Sequence, residues 1–530
     1  MTVWITQRPE AEIAAEIAAA SGPLAGVRLA VKDNIDVAGL PTTAGCPAYA
    51  YTPAVSAPCV QRLVDAGAVV VGKTNLDQFA TGLVGTRSPY GAVHDARRPD
   101  YISGGSSSGS AVAVALGMAD LALGTDTAGS GRVPAAFAGI VGVKPTRGLV
   151  PLTGVVPACR TLDVVTTMAR DLALAELAAG IMAGDDGDDP RCRAWPAGAP
   201  LAAPPAPRVG MPLPEQLDAL TPAAREAFAR AAASLDAEPV DVSPILDAGA
   251  LLYGGAFVAE RHAAVGEFVC AHRPAVDPVV AAIIGASGDV SATDLVADGE
   301  RLDAYRLATA RLFAAFDALL LPTTVAQPTL EAVAGDPIGA NAALGRYVNG
   351  CNLLDLCAVA VPAGEADGGC FGAMVYAPAF HDRVAADVAA RVTGEPPSAR
   401  GLGPAGIDLL VVGAHLSGQP LNHQLTDRGA RLVGPVRTAP SYRLYALDTE
   451  PPKPGLVRAA TGGAAIAGEL WRLPPAGLAS LLAELPSPML LGRVTLEDGS
   501  EVVGFACEGL ALQGAEDITA FGGWLTATAR

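Results

Sequence analysis

Three short segments of this 530-residue chain combine residue types that can carry out nucleophilic chemistry. They are AVKDNID around Lys32, SGGSSSGS from Ser103 to Ser110, and LGTDTAGSGRVPA from Leu123 to Ala135. Glycine-rich turns can also be flexible linkers or phosphate cradles. A phosphate cradle needs a lysine after the glycines, and a dinucleotide site needs G-x-G-x-x-G; neither pattern occurs in these segments. Hydroxyl chemistry is therefore the chemistry that these segments indicate.

A serine hydroxyl becomes a nucleophile only when a base lies beside it and donors stabilise the developing oxyanion. Ser106 and Ser130 each lie in a Ser-Gly turn, and neither turn has a histidine near it in the sequence. Lys32 ends the strand-like run GVRLAV. A buried lysine can serve as a base because burial disfavours its charged form. The alternative for Lys32, taken alone, is an exposed charge at a strand end.

Taken together, the segments resemble the amidase signature family. The similarity covers VKDNID, GAVVVGKTNLDQFA, GGSSSGS and the run from GTDTAGSGRVPA to KPTRG. It implies that Ser130 attacks the carbonyl, Ser106 relays protons, and Lys32 is the terminal base and later acid. It also implies a cis peptide bond between Gly105 and Ser106. The expected oxyanion hole consists of the backbone N–H groups of Thr127, Ala128, Gly129 and Ser130.

Within that family, the chain is similar to the allophanate hydrolase branch. The segments DTAGSGRVPA and GLVGTRSPYG favour this branch, and Ser108 and Ala128 stand where many other members have Gly. The C-terminal segments LLVVGAHLSGQPLNHQLTDRGARLVG and EDITAFGGW resemble a second domain that general amidases lack. The resemblance implies that the first domain releases ammonia from allophanate to leave N-carboxycarbamate. The second domain is associated with its breakdown to ammonia and carbon dioxide.

Candidate substrate contacts come from LLYGGAFVAERHA, which resembles the substrate-binding part of allophanate hydrolases. It assigns the anchoring of the substrate to Tyr253 and Arg261, and a guanidinium suits a carboxylate because it can pair with it bidentately. Because the two residues are eight positions apart, we expect them on roughly one face of a helix. The alternative is that Arg261 pairs with Glu260 or a surface carboxylate while Tyr253 packs in the core.

For the second domain, a histidine could deliver a proton. His415 directly follows the apolar strand IDLLVVGA and is the first candidate. His423 in PLNHQL is the second candidate. A purely structural role for a histidine beside a buried strand stays open.

The fold prediction is an α/β domain followed by a smaller, strand-rich α+β domain. From Leu24 to Pro151, β-branched runs alternate with Gly-rich turns and Ala-rich helical patterns. The resemblance makes this a large mixed-sheet α/β/α domain, with the Pro-rich segment 190–207 as a surface excursion from it. A composition shift at 393–406 predicts the domain boundary. The predicted ranges are an amidase domain over 1–395, a linker over 396–405 and a gamma-glutamylcyclotransferase-like allophanate hydrolase domain over 406–530.

The formal charge of −18 opposes binding to a phosphate backbone, and no run of eighteen apolar residues suggests a membrane span. The N-terminus lacks a secretory signal, and the nine cysteines form no CxxC pair. We therefore expect a cytoplasmic hydrolase that uses no metal or cofactor and acts on a small anionic amide. The resemblance also allows a homodimer and a functional link to a urea carboxylase.

Other functions fit parts of the pattern. A general amidase for other small amides would share the same three catalytic residues. A subunit of a tRNA-dependent amidotransferase would share the Ser-Ser-Lys layout, but the negative charge and the C-terminal segment oppose it. A binding scaffold without activity is opposed by the intact set of Lys32, Ser106 and Ser130.

Overall fold

A mixed β-sheet organises the first of two units in the computed structural model, which describes residues 2–398 and 401–529. This unit comprises Met1–Ala194 and Pro207–Leu402. In chain order its strands are β1 (Trp4–Gln7), β2 (Arg28–Lys32), β3 (Val69–Thr74), β4 (Leu121–Asp126), β5 (Val141–Lys144), β6 (Val164–Ala169), β7 (Val209–Pro212), β8 (Glu238–Val240), β9 (Ala318–Pro322), β10 (Leu356–Ala366) and β11 (Gly369–Pro378). Their order across the sheet is β1-β3-β2-β4-β6-β5-β10-β11-β9-β7-β8.

The parallel centre of this sheet positions the candidate site. Strand β2 pairs in parallel with β3 and with β4, while β4 pairs antiparallel with β6. Every residue of β3 and β4 is buried, as expected for parallel strands that are covered on both faces. Because β2 and β4 run in the same direction, their carboxyl ends meet at one edge. Lys32, at the end of β2, therefore lies beside Thr125 near the end of β4.

Helices cover this sheet, and two of them begin at the serine-rich turns. The turn GGSSSGS leads into α3, and the turn after β4 leads into α4, which ends at Gly139 in the left-handed conformation (φ 66°). Helices α3 and α4 contact each other, and both contact the sheet. The helices of this unit are α1 (Glu10–Ala19), α2 (Pro58–Asp65), α3 (Ser108–Ala115), α4 (Arg132–Ala138), α5 (Leu172–Met182), α6 (Pro222–Ala233), α7 (Ser243–Gly254), α8 (Ala259–Ala271), α9 (Pro278–Ala286), α10 (Ala292–Phe313), α11 (Leu330–Gly335), α12 (Gly339–Leu344), α13 (Gly350–Leu353) and α14 (Asp382–Thr393).

The second unit is strand-rich. Its elements are β12 (Ile407–Val411), α15 (His423–Thr426), β13 (Arg431–Arg437), β14 (Tyr442–Leu447), β15 (Lys453–Arg458), β16 (Ala467–Leu473), α16 (Pro475–Ala483), β17 (Met489–Thr495), β18 (Glu501–Cys507), β19 (Glu516–Asp517) and α17 (Trp524–Thr528). They form a five-stranded sheet, β13-β16-β12-β18-β17, and a three-stranded sheet, β15-β14-β19. Apolar side chains from both sheets, including Leu410, Leu444, Trp471 and Phe505, share one core. The predicted α/β first domain and strand-rich second domain are confirmed.

One segment differs from the sequence-based expectation. Residues 195–206, expected as an excursion from the first domain, belong to the second unit. Backbone hydrogen bonds explain this placement: the Leu201 N–H donates to the Gly429 carbonyl (2.8 Å), and the Ala476 N–H donates to the Ala197 carbonyl (2.9 Å). The expected linker 396–405 includes residues 399 and 400, which lie outside the described residues.

Among the described residues, no single helix is both long and apolar enough to cross a membrane. Helices α9 and α10, with the turn that follows α9, meet the length and composition criteria only as a pair, across a bend of 97°.

Candidate active site

The Lys32 ammonium lies at the centre of the candidate site and is fully buried. Its Nζ donates to Ser106 Oγ (2.8 Å) and to Thr125 Oγ1 (2.8 Å). The Asn34 amide also donates to Thr125 Oγ1 (3.3 Å), which holds that hydroxyl in place. The structure thus brings together Lys32 and Ser106, which are 74 positions apart in the sequence. The exposed-charge alternative for Lys32 is wrong.

Burial lowers the pKa of Lys32 to about 7. Three carboxylates, Asp77, Asp126 and Asp163, oppose this shift, while the positive charge of Arg261 adds to it. A lysine with a pKa near 7 is neutral in a substantial fraction of molecules at neutral pH. Lys32 can therefore accept a proton as a general base and return it as a general acid.

The turn before Ser106 has the backbone geometry that the resemblance implied. The Gly105–Ser106 peptide bond is cis. A Cβ on Gly105 would lie 2.3 Å from Asp77 Oδ2 and 2.6 Å from the Gly85 nitrogen, so only glycine fits at this position. The Ser106 carbonyl accepts a hydrogen bond from the Asp77 N–H (3.2 Å). These contacts fix the direction in which the Ser106 hydroxyl faces Lys32.

Ser130 lies in the turn between β4 and α4, and it is buried. Its Oγ donates to the Gly82 carbonyl (3.3 Å) rather than to Ser106. The two serine segments are nevertheless adjacent, because the Ser107 N–H donates to the Ser130 carbonyl (3.3 Å). The structure shows the Lys32–Ser106 contact of the predicted relay, and the contact between the two serines stays a prediction.

The expected oxyanion hole lies in the same turn. Within residues 2–398 and 401–529, the N–H groups of Ala128, Gly129 and Ser130 have no backbone or side-chain acceptor. A Cβ on Gly129 would lie 2.5 Å from Val348 Cγ2, so the turn can pack this closely only with glycine. Unpaired N–H groups in a fixed turn are the donors that a developing oxyanion requires.

A buried ion pair that we did not identify from the sequence holds this turn at both ends. Asp126 ends β4, Arg132 begins α4, and both side chains are fully buried. Arg132 Nη2 and Nε donate to the two Asp126 carboxylate oxygens at 2.9 and 3.0 Å. Gly131 N also donates to Asp126 (3.1 Å), and Arg132 Nη1 donates to the Tyr376 hydroxyl (2.8 Å). Two charged residues flanking the small residues TAGSG in an apolar region were the available signal.

A second buried carboxylate, Asp163, fixes the start of the turn. The Thr127 hydroxyl donates to Asp163 Oδ1, and the Ala158 and Cys159 N–H groups donate to the same carboxylate (2.9 and 3.1 Å). Nothing in the sequence near Asp163 indicated this contact, because the two strands β4 and β6 must pair before the side chains can meet.

Arg261 is buried, and its partners are hydroxyl and carbonyl oxygens. Nη1 donates to Thr81 Oγ1 (2.9 Å), and Nη2 donates to the Tyr253 hydroxyl (2.9 Å). No carboxylate of the described chain lies within 4 Å of the guanidinium, and Glu260 instead accepts from the Thr161 N–H (2.9 Å). The alternative pairing of Arg261 with Glu260 is therefore wrong. The site contains a buried cation that can pair with an anionic ligand.

Tyr253 and Arg261 do not lie on one helix, as we expected from their spacing. Tyr253 belongs to α7 and Arg261 to α8, and between them Gly255 is extended (φ −117°, ψ −169°). A Cβ on Gly255 would lie 2.5 Å from Asp298 Oδ2, which accepts the Ala256 N–H (2.7 Å). The helical spacing was the wrong reason for placing the two side chains together; the break at Gly255 brings them into contact.

A cavity of about 990 Å³ adjoins this anchor. Tyr253 and Arg87 line it, and so does Asn349, the neighbour of the Val348 that packs on Gly129. Ser130 is not among the lining residues. The cavity is therefore a candidate approach to the Tyr253–Arg261 anchor.

The second unit has its own pocket, of about 220 Å³. His415 lines this pocket, is buried, and stacks on Phe505 with ring centroids 4.5 Å apart. Its Nε2 is 2.9 Å from Gln424 Oε1, and burial lowers the pKa of His415 below its usual value. His423 is exposed, and its Nδ1 contacts the Pro420 carbonyl of its own turn (2.9 Å).

Lys453 lines the same pocket and was not singled out from the sequence. It is 9% exposed, and its Nζ donates to the Pro451 carbonyl (3.3 Å). No ion pair joins it to a carboxylate in the described parts of the chain. A lysine at the start of a strand carried no local signal, because its position near His415 depends on the pairing of β14 with β15 and on loop packing.

Comparisons with known proteins agree with this fold and this site. Residues 5–384 match the Amidase family model, and residues 407–529 match the Allophanate hydrolase C-terminal domain model. The structure of an allophanate hydrolase from Kluyveromyces lactis has 38% sequence identity and a TM-score of 0.86, covering 99% of this chain and 92% of that one. The chain belongs to the amidase family. Its second unit is an allophanate hydrolase C-terminal domain, so the predicted branch is confirmed.

Other relatives match either a longer protein or a smaller part of this chain. The urea amidolyase of Saccharomyces cerevisiae is 38% identical over 95% of this chain, and the match spans 29% of that protein. One glutamyl-tRNA(Gln) amidotransferase polypeptide of Natronomonas pharaonis is 44% identical, but over only 41% of this chain and 52% of its own length. The chain thus spans less than a third of the urea amidolyase.

Proposed function

We propose that this chain hydrolyses allophanate, with Ser130 as the nucleophile. The observation that carries the proposal is the buried Arg261 guanidinium, which has no carboxylate within 4 Å among the described residues. A charge in a site of low dielectric is costly unless an opposite charge pairs with it. Allophanate is a small amide with a carboxylate, so its anionic end would pair with Arg261 and Tyr253.

In the first step, neutral Lys32 takes the proton of Ser106 while Ser106 takes the proton of Ser130. For this transfer, Ser130 Oγ turns from the Gly82 carbonyl toward Ser106. Ser130 Oγ then forms a bond to the amide carbon, and the carbonyl oxygen becomes an oxyanion held by the N–H groups of residues 127–130. Losing one such donor typically costs about 2.7–4 kcal/mol of barrier.

In the second step, the proton returns from Lys32 through Ser106 to the leaving nitrogen. The C–N bond breaks, ammonia leaves, and Ser130 carries the acyl group. Water, deprotonated by the same relay, attacks the acyl carbon and releases N-carboxycarbamate and free Ser130. No redox chemistry is needed, and every proton in the cycle passes through Lys32.

The proposal is tested by ammonia release from allophanate by the purified protein and by an Arg261→Gln variant. We expect wild type to release ammonia and Arg261→Gln to raise KM by about 100-fold, because a charge-assisted pair of about 3 kcal/mol is lost. A neutral amide of similar size serves as the control substrate. Absence of ammonia from allophanate with wild type, or equal loss on the neutral amide, would contradict the proposal.

We propose that the pocket of the second unit binds the N-carboxycarbamate released by the first. His415 would protonate its nitrogen as carbon dioxide leaves, and the Lys453 ammonium would pair with a carboxylate. The contact with Gln424 and the stacking on Phe505 support this by fixing the imidazole ring. His415→Asn should slow release of the second ammonia and leave the first unchanged; equal loss of both would contradict it.

The urea amidolyases that this chain resembles are about three times its length in the matched comparison. This supports a functional link to an enzyme that supplies allophanate, such as a urea carboxylase. A coupled assay with such an enzyme tests it. A homodimer and a cytoplasmic location stay predictions from the sequence, which sedimentation and cell fractionation can check.

A further inference from the structure

Asp77 is a fully buried carboxylate that the proposed reaction does not use. Its Oδ2 accepts a hydrogen bond from the Gly85 N–H (3.0 Å), and its Oδ1 accepts one from the Arg87 N–H (2.9 Å). Its own N–H donates to the Ser106 carbonyl (3.2 Å). One residue thus joins the loop 82–87 to the turn that carries Ser106.

The carboxylate is in direct contact with the two glycines that matter for the serines. A Cβ on Gly105, the residue before Ser106, would lie 2.3 Å from Asp77 Oδ2. A Cβ on Gly82, whose carbonyl accepts the Ser130 hydroxyl, would lie 2.8 Å from the same oxygen. The position of Asp77 therefore sets the separation between the Ser106 turn and the loop against which Ser130 rests.

Asp77 also provides negative charge to Lys32. The charged groups that face Lys32 are Asp77, Asp126, Asp163 and Arg261, and among them Asp77 has the largest effect on the pKa of Lys32. Asp126 is different because Arg132 pairs with it at 2.9 Å. No Lys or Arg of the described chain lies within 4 Å of the Asp77 carboxylate. Its charge is thus less compensated than that of Asp126.

We propose that Asp77 is a positioning residue for amide hydrolysis: it holds the Ser106 turn and the Gly82 loop at a fixed separation and supplies the negative charge that keeps Lys32 basic. This inference rests on the proposed hydrolysis at Ser130. It does not depend on allophanate being the substrate, because Arg261 and Tyr253 bind the anion and Asp77 does not contact them.

The test compares the pH dependence of kcat in wild type and in Asp77→Asn. Without the negative charge, Lys32 holds its proton less strongly, so the acidic limb should move to lower pH by about one unit. The alkaline plateau should fall at least tenfold, because Lys32 becomes a weaker base and the amide cannot accept both N–H groups. KM should change less than twofold. Wild-type turnover is measured first, so failure of the proposed function appears there and not in the variant.

Asp382→Asn is the matched control. Asp382 is also a buried carboxylate, and it accepts hydrogen bonds from the Thr146 N–H and hydroxyl (both 2.7 Å), but it does not act on Lys32. We expect it to lower the melting temperature without moving the acidic limb. Asp77→Ser is the second neutral variant, with a smaller side chain.

The proposal is overturned if Asp77→Asn and Asp77→Ser lose activity while the acidic limb stays in place. It is also overturned if neither variant folds while Asp382→Asn folds, because Asp77 would then serve the fold alone. A shift of the limb in either folded variant, with KM unchanged, supports it.

Discussion

The two proposed centres differ in how they are built. The first assembles Lys32 from β2, Ser106 from the turn before α3 and Ser130 from the turn after β4, all within a network of buried charges. The second rests on His415, whose partner Gln424 is nine positions away, and on stacking against Phe505. A base that needs a pKa shift of several units requires a buried, multi-segment site. A histidine titrates near neutrality without such a site.

The largest effect should come from the nucleophile of the first centre. Ser130→Ala should lower release of the first ammonia by on the order of 10⁴-fold or more, because no other hydroxyl can form the acyl-enzyme. The melting temperature should stay within a few degrees of wild type. Measured with allophanate, near-normal turnover by a folded Ser130→Ala protein would remove Ser130 from the mechanism.

The next largest effect concerns the buried ion pair around the first centre. Asp126→Ala leaves the Arg132 guanidinium buried without its partner and should cost about 3–5 kcal/mol of unfolding free energy. Asp120→Ala is the matched control, since Asp120 pairs with Arg28 at 2.8 Å with both side chains partly exposed. That change should cost only about 0–1 kcal/mol. Equal losses in urea unfolding would show that burial of the pair at the first centre has no special role.

The two centres should respond to pH in opposite directions. Only neutral Lys32 can accept a proton, so release of the first ammonia should fall about tenfold per pH unit below a value near 7. Only protonated His415 can donate, and burial lowers its pKa, so assistance to the second release should weaken as pH rises. Separate time courses of the two ammonia releases between mildly acidic and alkaline pH check this. Parallel profiles would mean that one group controls both steps.

The smallest effect should come from the second histidine. His423→Asn should change either release less than about twofold, because an exposed side chain in its own turn seldom contributes more than a few tenths of a kcal/mol. It is the control for His415→Asn, since both replace a histidine in the same part of the second unit. A larger loss in His423→Asn would exchange the two candidates.

Much of the first centre could be predicted because its residues lie in local motifs. The end of β2 at Lys32, the start of α3 after GGSSSGS and the cis bond before Ser106 all agree with the sequence-based predictions. Tyr253 and Arg261 do meet, although through a break in the helix at Gly255. That break could not be read from periodicity, because it depends on Asp298, which comes from α10.

The sequence by itself determined the reaction class of this protein. A turn of small residues around Ser130, a second serine turn and a lysine at a strand end specify the nucleophile, the donors and the base through local backbone geometry. Only the tertiary structure decided how basic Lys32 is and which charges surround it. Burial, the Asp126–Arg132 pair and the Asp77 contacts join segments far apart in the chain, and low dielectric makes those separations decisive for the pKa.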